Sequence, residues 1–246
     1  MNQNQLLEDR LENDMETVRY PTRNELQRAL SDAASLAKWL VRFCPPRLPD
    51  ILKRRTVADF AIRFQLDTFV ESGTYLGATV EYLSRYCKFI YSVEYQERLY
   101  KRAVERFAAR PSIRILHGSG SDLMPLILQE IDRPALFWLD GHFAPGTTTS
   151  QEIACPTLAE LREILLHRDD HVILIDDADE FNGQAGYPTI GEIEQLVHTL
   201  QPAMNVAVRR NIVRITGDTA AHNSQKQVGT RRAGSATTRQ PMDIGQ

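Results

Sequence analysis

The stretch Phe69-Val70-Glu71-Ser72-Gly73-Thr74-Tyr75-Leu76-Gly77-Ala78-Thr79 decides the fold. Thr68, Phe69 and Val70 favour a buried strand, and Glu71 closes it with an acid. Gly73 and Gly77 let the backbone turn tightly and let a ligand come close. Thr79, Val80, Tyr82 and Leu83 then open a helical pattern. A helix start at such a turn offers free N–H groups to a polar or anionic ligand. The spacing excludes two phosphate-binding motifs. No lysine follows Gly77, and Gly73 and Gly77 do not follow the G-x-G-x-x-G pattern. What remains is acid-x-Gly-x-x-x-Gly.

Outward from this turn, strands and helices alternate up to about residue 200. Residues 89–94, 113–116, 135–140 and 171–177 read as further strands. Amphipathic helices are expected over 97–110, 122–131, from Pro156 onward and over 190–200. Leu99, Ala103, Val104 and Phe107 should form the inner face of the first of these. Residues 205–208 and 212–216 read as a closing strand pair. The alternation predicts an α/β fold, with a mainly parallel sheet and helices on both faces. Ligands of such sheets sit beyond the carboxyl ends of the strands. Four strands end in acids there: Glu71, Glu94, Asp140 and the pair Asp176-Asp177.

The flanks read differently. Residues 1–20 are polar and acidic, and Thr22 to Glu25 has the form of a capping box. Leu26, Leu30, Ala33, Ala37, Leu40 and Val41 recur at helical spacing until Pro45-Pro46. Ile51, Leu52, Val57, Phe60 and Ala61 suggest a second, short helix. Residues 218–246 lack aromatics and are rich in Ser, Thr, Gly and Gln, which predicts a disordered tail. The expected organisation is a helical segment over 1–62, a ligand-binding domain over 63–217 and that tail.

The 246 residues are 42% hydrophobic and 25% charged, as for a globular chain. A net charge of −3 argues against a general nucleic-acid binder. No apolar run approaches a membrane span, and no secretory signal is visible. Cys44, Cys87 and Cys155 form neither a disulfide framework nor a zinc spacing, which favours the cytoplasm. An oligomer is compatible with the sequence.

The turn resembles the first motif of class I S-adenosylmethionine (SAM) methyltransferases, with Tyr75 where the middle glycine usually stands. Further motifs follow in order: 90–94, 117–119, Phe137-Trp138-Leu139-Asp140-Gly141-His142, Cys155-Pro156 and 173–177. The resemblance spans roughly residues 50–215. It implies a Rossmann-like, doubly wound sheet of seven strands, the last antiparallel. It also implies SAM as methyl donor. Glu71, Gly73, Thr74, Tyr75, Gly77 and Thr79 would form the donor-binding turn. Glu94 would accept both ribose hydroxyls, as an ionised carboxylate can. Tyr95 would lie along the adenine or ribose, Gly118 and Ser119 at the adenine edge, and Asp140 against the donor.

In metal-dependent O-methyltransferases the acids ending the fourth and fifth strands hold Mg²⁺. This sequence is similar there, with Asp140, Asp176 and Asp177 as the corresponding ligands. Three carboxylates suit a hard cation; the same acids could also just meet SAM and cap a loop. His142 is a candidate general base, with Asp140 beside it. The expected acceptor is an oxygen of a small molecule or sugar-like compound. Two other functions fit the same residues. One is a metal-dependent hydrolase built on Asp140, His142, Asp176 and Asp177; the other is a non-catalytic nucleotide-binding module.

Overall fold

A computed structural model describes residues 23–42, 45, 47–140, 155–168 and 170–217. The chain divides into two compact units, residues 1–51 and 52–246. That division lies earlier than the boundary expected at residue 62. The first unit contributes α1 (Arg23–Val41) and the start of α2 (Asp50–Phe64). Trp39 Nε1 donates to the Pro45 carbonyl at 2.9 Å, tying the end of α1 to the proline that follows it. Leu30, Leu40 and Val41 are exposed, so these apolar positions of α1 line no core. The expected capping box begins at Thr22, outside the described residues.

The second unit is the α/β body. From α2 the chain runs through β1 (Thr68–Ser72), α3 (Ala78–Leu83), β2 (Phe89–Glu94) and α4 (Glu97–Phe107). Then come β3 (Ile113–His117), α5 (Gly120–Glu130), β4 (Leu136–Leu139), α6 (Thr157–His167) and β5 (Val172–Ile175). A 3₁₀ turn (Ala178–Glu180), α7 (Ile190–Leu200), β6 (Asn205–Arg209) and β7 (Ile212–Thr216) complete it. The seven strands form one sheet in the order β3-β2-β1-β4-β5-β7-β6. All neighbours up to β5 are parallel; β7 runs antiparallel to both β5 and β6. The sequence expectation of a Rossmann-like sheet with an antiparallel last strand holds.

β1, β4 and β5 are buried at every position. That requires cover on both faces, and the near-continuous apolar runs of these strands supply it. On one face Val70, Phe137, Leu139, Ile173 and Ile175 meet Met124 and Ile127 of α5, Leu161 and Ile164 of α6, and Ile193 and Val197 of α7. The alternate residues Phe69, Leu136 and Trp138 are buried as well. Val57, Phe60, Ala61 and Phe64 of α2 are also interior. In α4 only Ala103 and Phe107 are buried; Val104 is exposed, against its expected place on the inner face.

Register puts the strand ends at one level. Ser72 pairs with Val93 on one side and with Leu139 on the other. Gly73, Glu94 and Asp140 therefore leave the sheet together. The order of strands reverses between β1 and β4, and the crevice at such a switch point is where ligands bind.

Candidate functional site

The loop after β1 is held from several sides. Gly73 N–H and Thr74 N–H both donate to the Val93 carbonyl, at 2.9 and 3.1 Å. Tyr75 N–H donates to Glu94 Oε2 at 2.7 Å, and Gly77 N–H to the Thr74 carbonyl at 2.8 Å. Arg106 of α4 donates from Nη1 to the Leu76 carbonyl at 2.6 Å. The same guanidinium and that of Arg110 pair with Glu81 of α3. Gly73 and Tyr75 have φ of 100° and 48°. Such conformations recur where backbone is shaped for function, and the surrounding bonds hold them.

Gly77 has a packing reason beside the tight turn its spacing suggested. Its φ is 69°, and a Cβ there would fall 2.8 Å from the Phe107 ring of α4. Gly77 admits a neighbouring aromatic ring. The α3 helix it opens has six residues, too few for a strong end charge. We expect Gly77→Ala to cost about 2 kcal/mol, combining left-handed strain with overpacking. Urea unfolding measures it; a loss below about 0.5 kcal/mol would contradict the packing argument.

Glu94 ends β2 beside this loop. Its carboxylate accepts Tyr75 N–H through Oε2 and Gln96 N–H at 2.9 Å through Oε1. Each oxygen keeps a second acceptor site, so two more hydrogen bonds can form. Gly118 N–H donates to the Glu94 carbonyl at 3.1 Å, which draws the β3 exit to the same place. Ser119 and Ser121 hydroxyls share a 2.7 Å hydrogen bond there. Tyr95 is half exposed, and its carbonyl lies 3.1 Å from His117 Nε2.

Behind the loop lies a buried polar chain that the sequence did not reveal. Thr74 Oγ1 and Ser92 Oγ are 2.6 Å apart, and Ser92 donates to Glu71 Oε2 at 2.8 Å. Thr79 also hydrogen-bonds Glu71. Burial pushes the Glu71 carboxyl up to about 8, with Asp140 and Glu94 adding their charge. The strand register brings Glu71, Glu94 and Asp140 to the same edge of the sheet. Asp140 N–H donates to the Ser72 carbonyl at 3.0 Å. A second buried acid, Glu160 of α6, accepts Ser72 Oγ at 3.0 Å and lies against Gly120. Burial pushes it up to about 7.

At the end of β5, Asp177 adopts a left-handed φ of 46°. Asp176 Oδ1 accepts the Asp177 N–H at 2.8 Å. Asn211, in the β6–β7 turn, donates from Nδ2 to Asp177 Oδ1 at 3.4 Å and to Asp179 at 2.6 Å. Lys53 of α2 reaches both strand-end acids, with Nζ 2.6 Å from Asp176 Oδ2 and 3.0 Å from Asp177 Oδ1. Burial alone would lower the Lys53 pKa, but the two aspartates outweigh it and the net shift is upward. The ammonium is therefore charged. For Asp176, burial and the other acids push upward and Lys53 pulls down. The 2.6 Å contact favours the ionised pair.

The structure gives two of the three expected Mg²⁺ ligands Asp140, Asp176 and Asp177 another cation as partner, and Mg²⁺ finds no support in it. Asp176 Oδ2 and Asp177 Oδ1 accept the Lys53 ammonium, Asp176 Oδ1 accepts the Asp177 N–H and Asp177 Oδ1 the Asn211 amide. Among the described residues no group of three His, Cys, Asp or Glu side chains could hold a metal ion. The donor set does not fit a divalent cation. His142 and the loop over 143–150 lie outside the described residues, as do Cys44 and the tail over 218–246. Cys155 is buried at the start of α6, with Sγ 3.1 Å from Thr157 Oγ1. No helix among the described residues is long and apolar enough to cross a membrane.

No protein-family model matches the chain, and no curated protein does. Solved structures match its fold. An O-methyltransferase from Bacillus cereus, in complex with S-adenosylhomocysteine (SAH), aligns with a TM-score of 0.52 at 15% identity, over 84% of this chain and 96% of that one. A Staphylococcus aureus protein provisionally named a caffeoyl-CoA O-methyltransferase aligns with a TM-score of 0.51 at 13% identity, over 86% of this chain and all of the other. With its strand order, its antiparallel β7 and its polar rim at the switch point, the chain has the Rossmann-like fold of the class I SAM-dependent methyltransferases.

Proposed function

We propose that this protein is a SAM-dependent methyltransferase acting on an oxygen of a small-molecule or sugar-like acceptor. The observation that carries the reading is Glu94, whose carboxylate caps the Tyr75 N–H and keeps two acceptor sites for a ribose diol. The donor set fits a nucleoside. It joins a carboxylate, a turn in which Tyr75 and Leu76 are exposed, and the half-exposed Tyr95.

SAM, when bound, supplies a methyl group activated by its sulfonium. The remaining work falls to the chain. Glu94 orients the ribose. Tyr95 covers one face of the sugar or base, and Gly118 and Ser119 border the adenine edge. Glu71, buried and coupled to Asp140, fixes the Gly73–Gly77 turn through Ser92 and Thr74. Asp140 faces the methyl-transfer end. His142, two residues further along the chain, takes the proton from the acceptor hydroxyl, with Asp140 to orient it. Alignment of the acceptor oxygen with the methyl group is the main source of rate.

Calorimetry with SAH tests the donor half of this reading, and saturable binding is expected. Labelled SAM incubated with a panel of hydroxylated acceptors tests the other half. A protein that binds neither SAM nor SAH at millimolar concentrations would overturn the reading.

A further inference from the structure

Lys53 lies far from the strand-end acids in sequence, yet it delivers its ammonium between them. Its side chain is 14% exposed, and those of Asp176 and Asp177 are 2% and 6% exposed. Two carboxylates so buried require a countercharge, because an isolated buried charge is costly. The surroundings are built around this contact. Asp177 holds a left-handed backbone, its N–H is taken by Asp176, and Asn211 grips it from the β6–β7 turn. Oxygen ligands for a divalent ion must number six or more, including water. An ammonium needs only three acceptors. Asp176 Oδ2 and Asp177 Oδ1 supply two of these, and the side chain's partial exposure leaves the third N–H to water.

We propose that Lys53 is the resident cation of this rim, its ammonium taking the acids that the resemblance would give to a divalent metal. Resting on the methyltransferase reading, the inference makes Lys53 the positioning residue for the acid pair beside the acceptor. It also makes donor binding independent of divalent ions.

The test is Mn²⁺ binding, followed by electron paramagnetic resonance, on the wild type, Lys53→Met and Lys53→Arg. SAH calorimetry is run on the same preparations with and without chelator. The wild type and Lys53→Arg should retain no Mn²⁺. Lys53→Met, with the acids uncompensated, should bind Mn²⁺ at least about tenfold more tightly than the wild type. If Lys53→Met does not fold alone, refolding on addition of Mn²⁺ supports the proposal equally. Mn²⁺ retained by the wild type overturns it. So does a Lys53→Met protein that neither binds Mn²⁺ nor refolds with it. Failure of the wild type to bind SAH would instead remove the methyltransferase reading, leaving the Mn²⁺ comparison intact.

Discussion

Glu94→Ala is expected to weaken SAH binding about a hundredfold while the chain stays folded. On the proposed reading the carboxylate would offer its two remaining acceptor sites to a ribose diol. Each hydrogen bond to a charged acceptor contributes roughly 1.5 kcal/mol or more, so losing both costs about 3 kcal/mol of affinity. The fold should survive because the loop keeps its bonds to the Val93 carbonyl and its tether to Arg106. Glu94→Gln should fall between, since an amide has one acceptor oxygen and no charge. Calorimetry reads the affinity and thermal unfolding reads the fold. Unchanged SAH affinity in a folded Glu94→Ala protein would contradict the site.

The second large effect concerns stability and pH. Glu160 is almost wholly buried, and its folded pKa rises from 4.5 to about 7. A carboxyl raised in the folded state contributes its full stability below the unfolded pKa. That contribution is lost as pH rises through the folded value. Holding Glu160 ionised therefore makes the fold about 3 kcal/mol less stable at about pH 8 than at about pH 4. Glu160→Gln removes the titration and keeps an acceptor for Ser72. The variant should gain about 3 kcal/mol over the wild type at the alkaline end and differ by less than about 1 kcal/mol at the acid end. Urea unfolding across this range decides it. A constant gap between the two proteins would show that Glu160 holds no proton in the fold. Taking the difference cancels Glu71, which titrates in the same direction.

The fold was largely legible because it is written in local patterns. The run from Phe69 to Val70, the acid that follows and the glycine spacing all survive as β1 and its turn. Glu94 and Asp140 could be located because each closes an apolar strand, and strand ends of parallel sheets share an edge. What escaped was set by contacts between distant segments. Glu160 reads as one more charge on a helix, yet α6 turns it inward onto Ser72. Ser92 reads as an ordinary strand residue and proves to be the link between Thr74 and Glu71. Lys53 stands among other basic residues of α2, and nothing local distinguishes it from Arg54 or Arg55. Its role exists only once β5 is in place. The Mg²⁺ expectation rested on three visible acids; the lysine that pairs with two of them was not visible. Gly77 was legible as a tight turn, but the Phe107 ring packed against it was not.

The separate anchoring of the first loop has a consequence for turnover. Tyr75 is fastened to the acid that would greet the nucleoside, whereas Leu76 is fastened to Arg106 and Gly73 to a strand carbonyl. On the proposed reading, an arriving donor would compete for one fastening without releasing the other two. Spent donor would then depart from a cradle that keeps its shape, ready for the next cycle without a refolding delay.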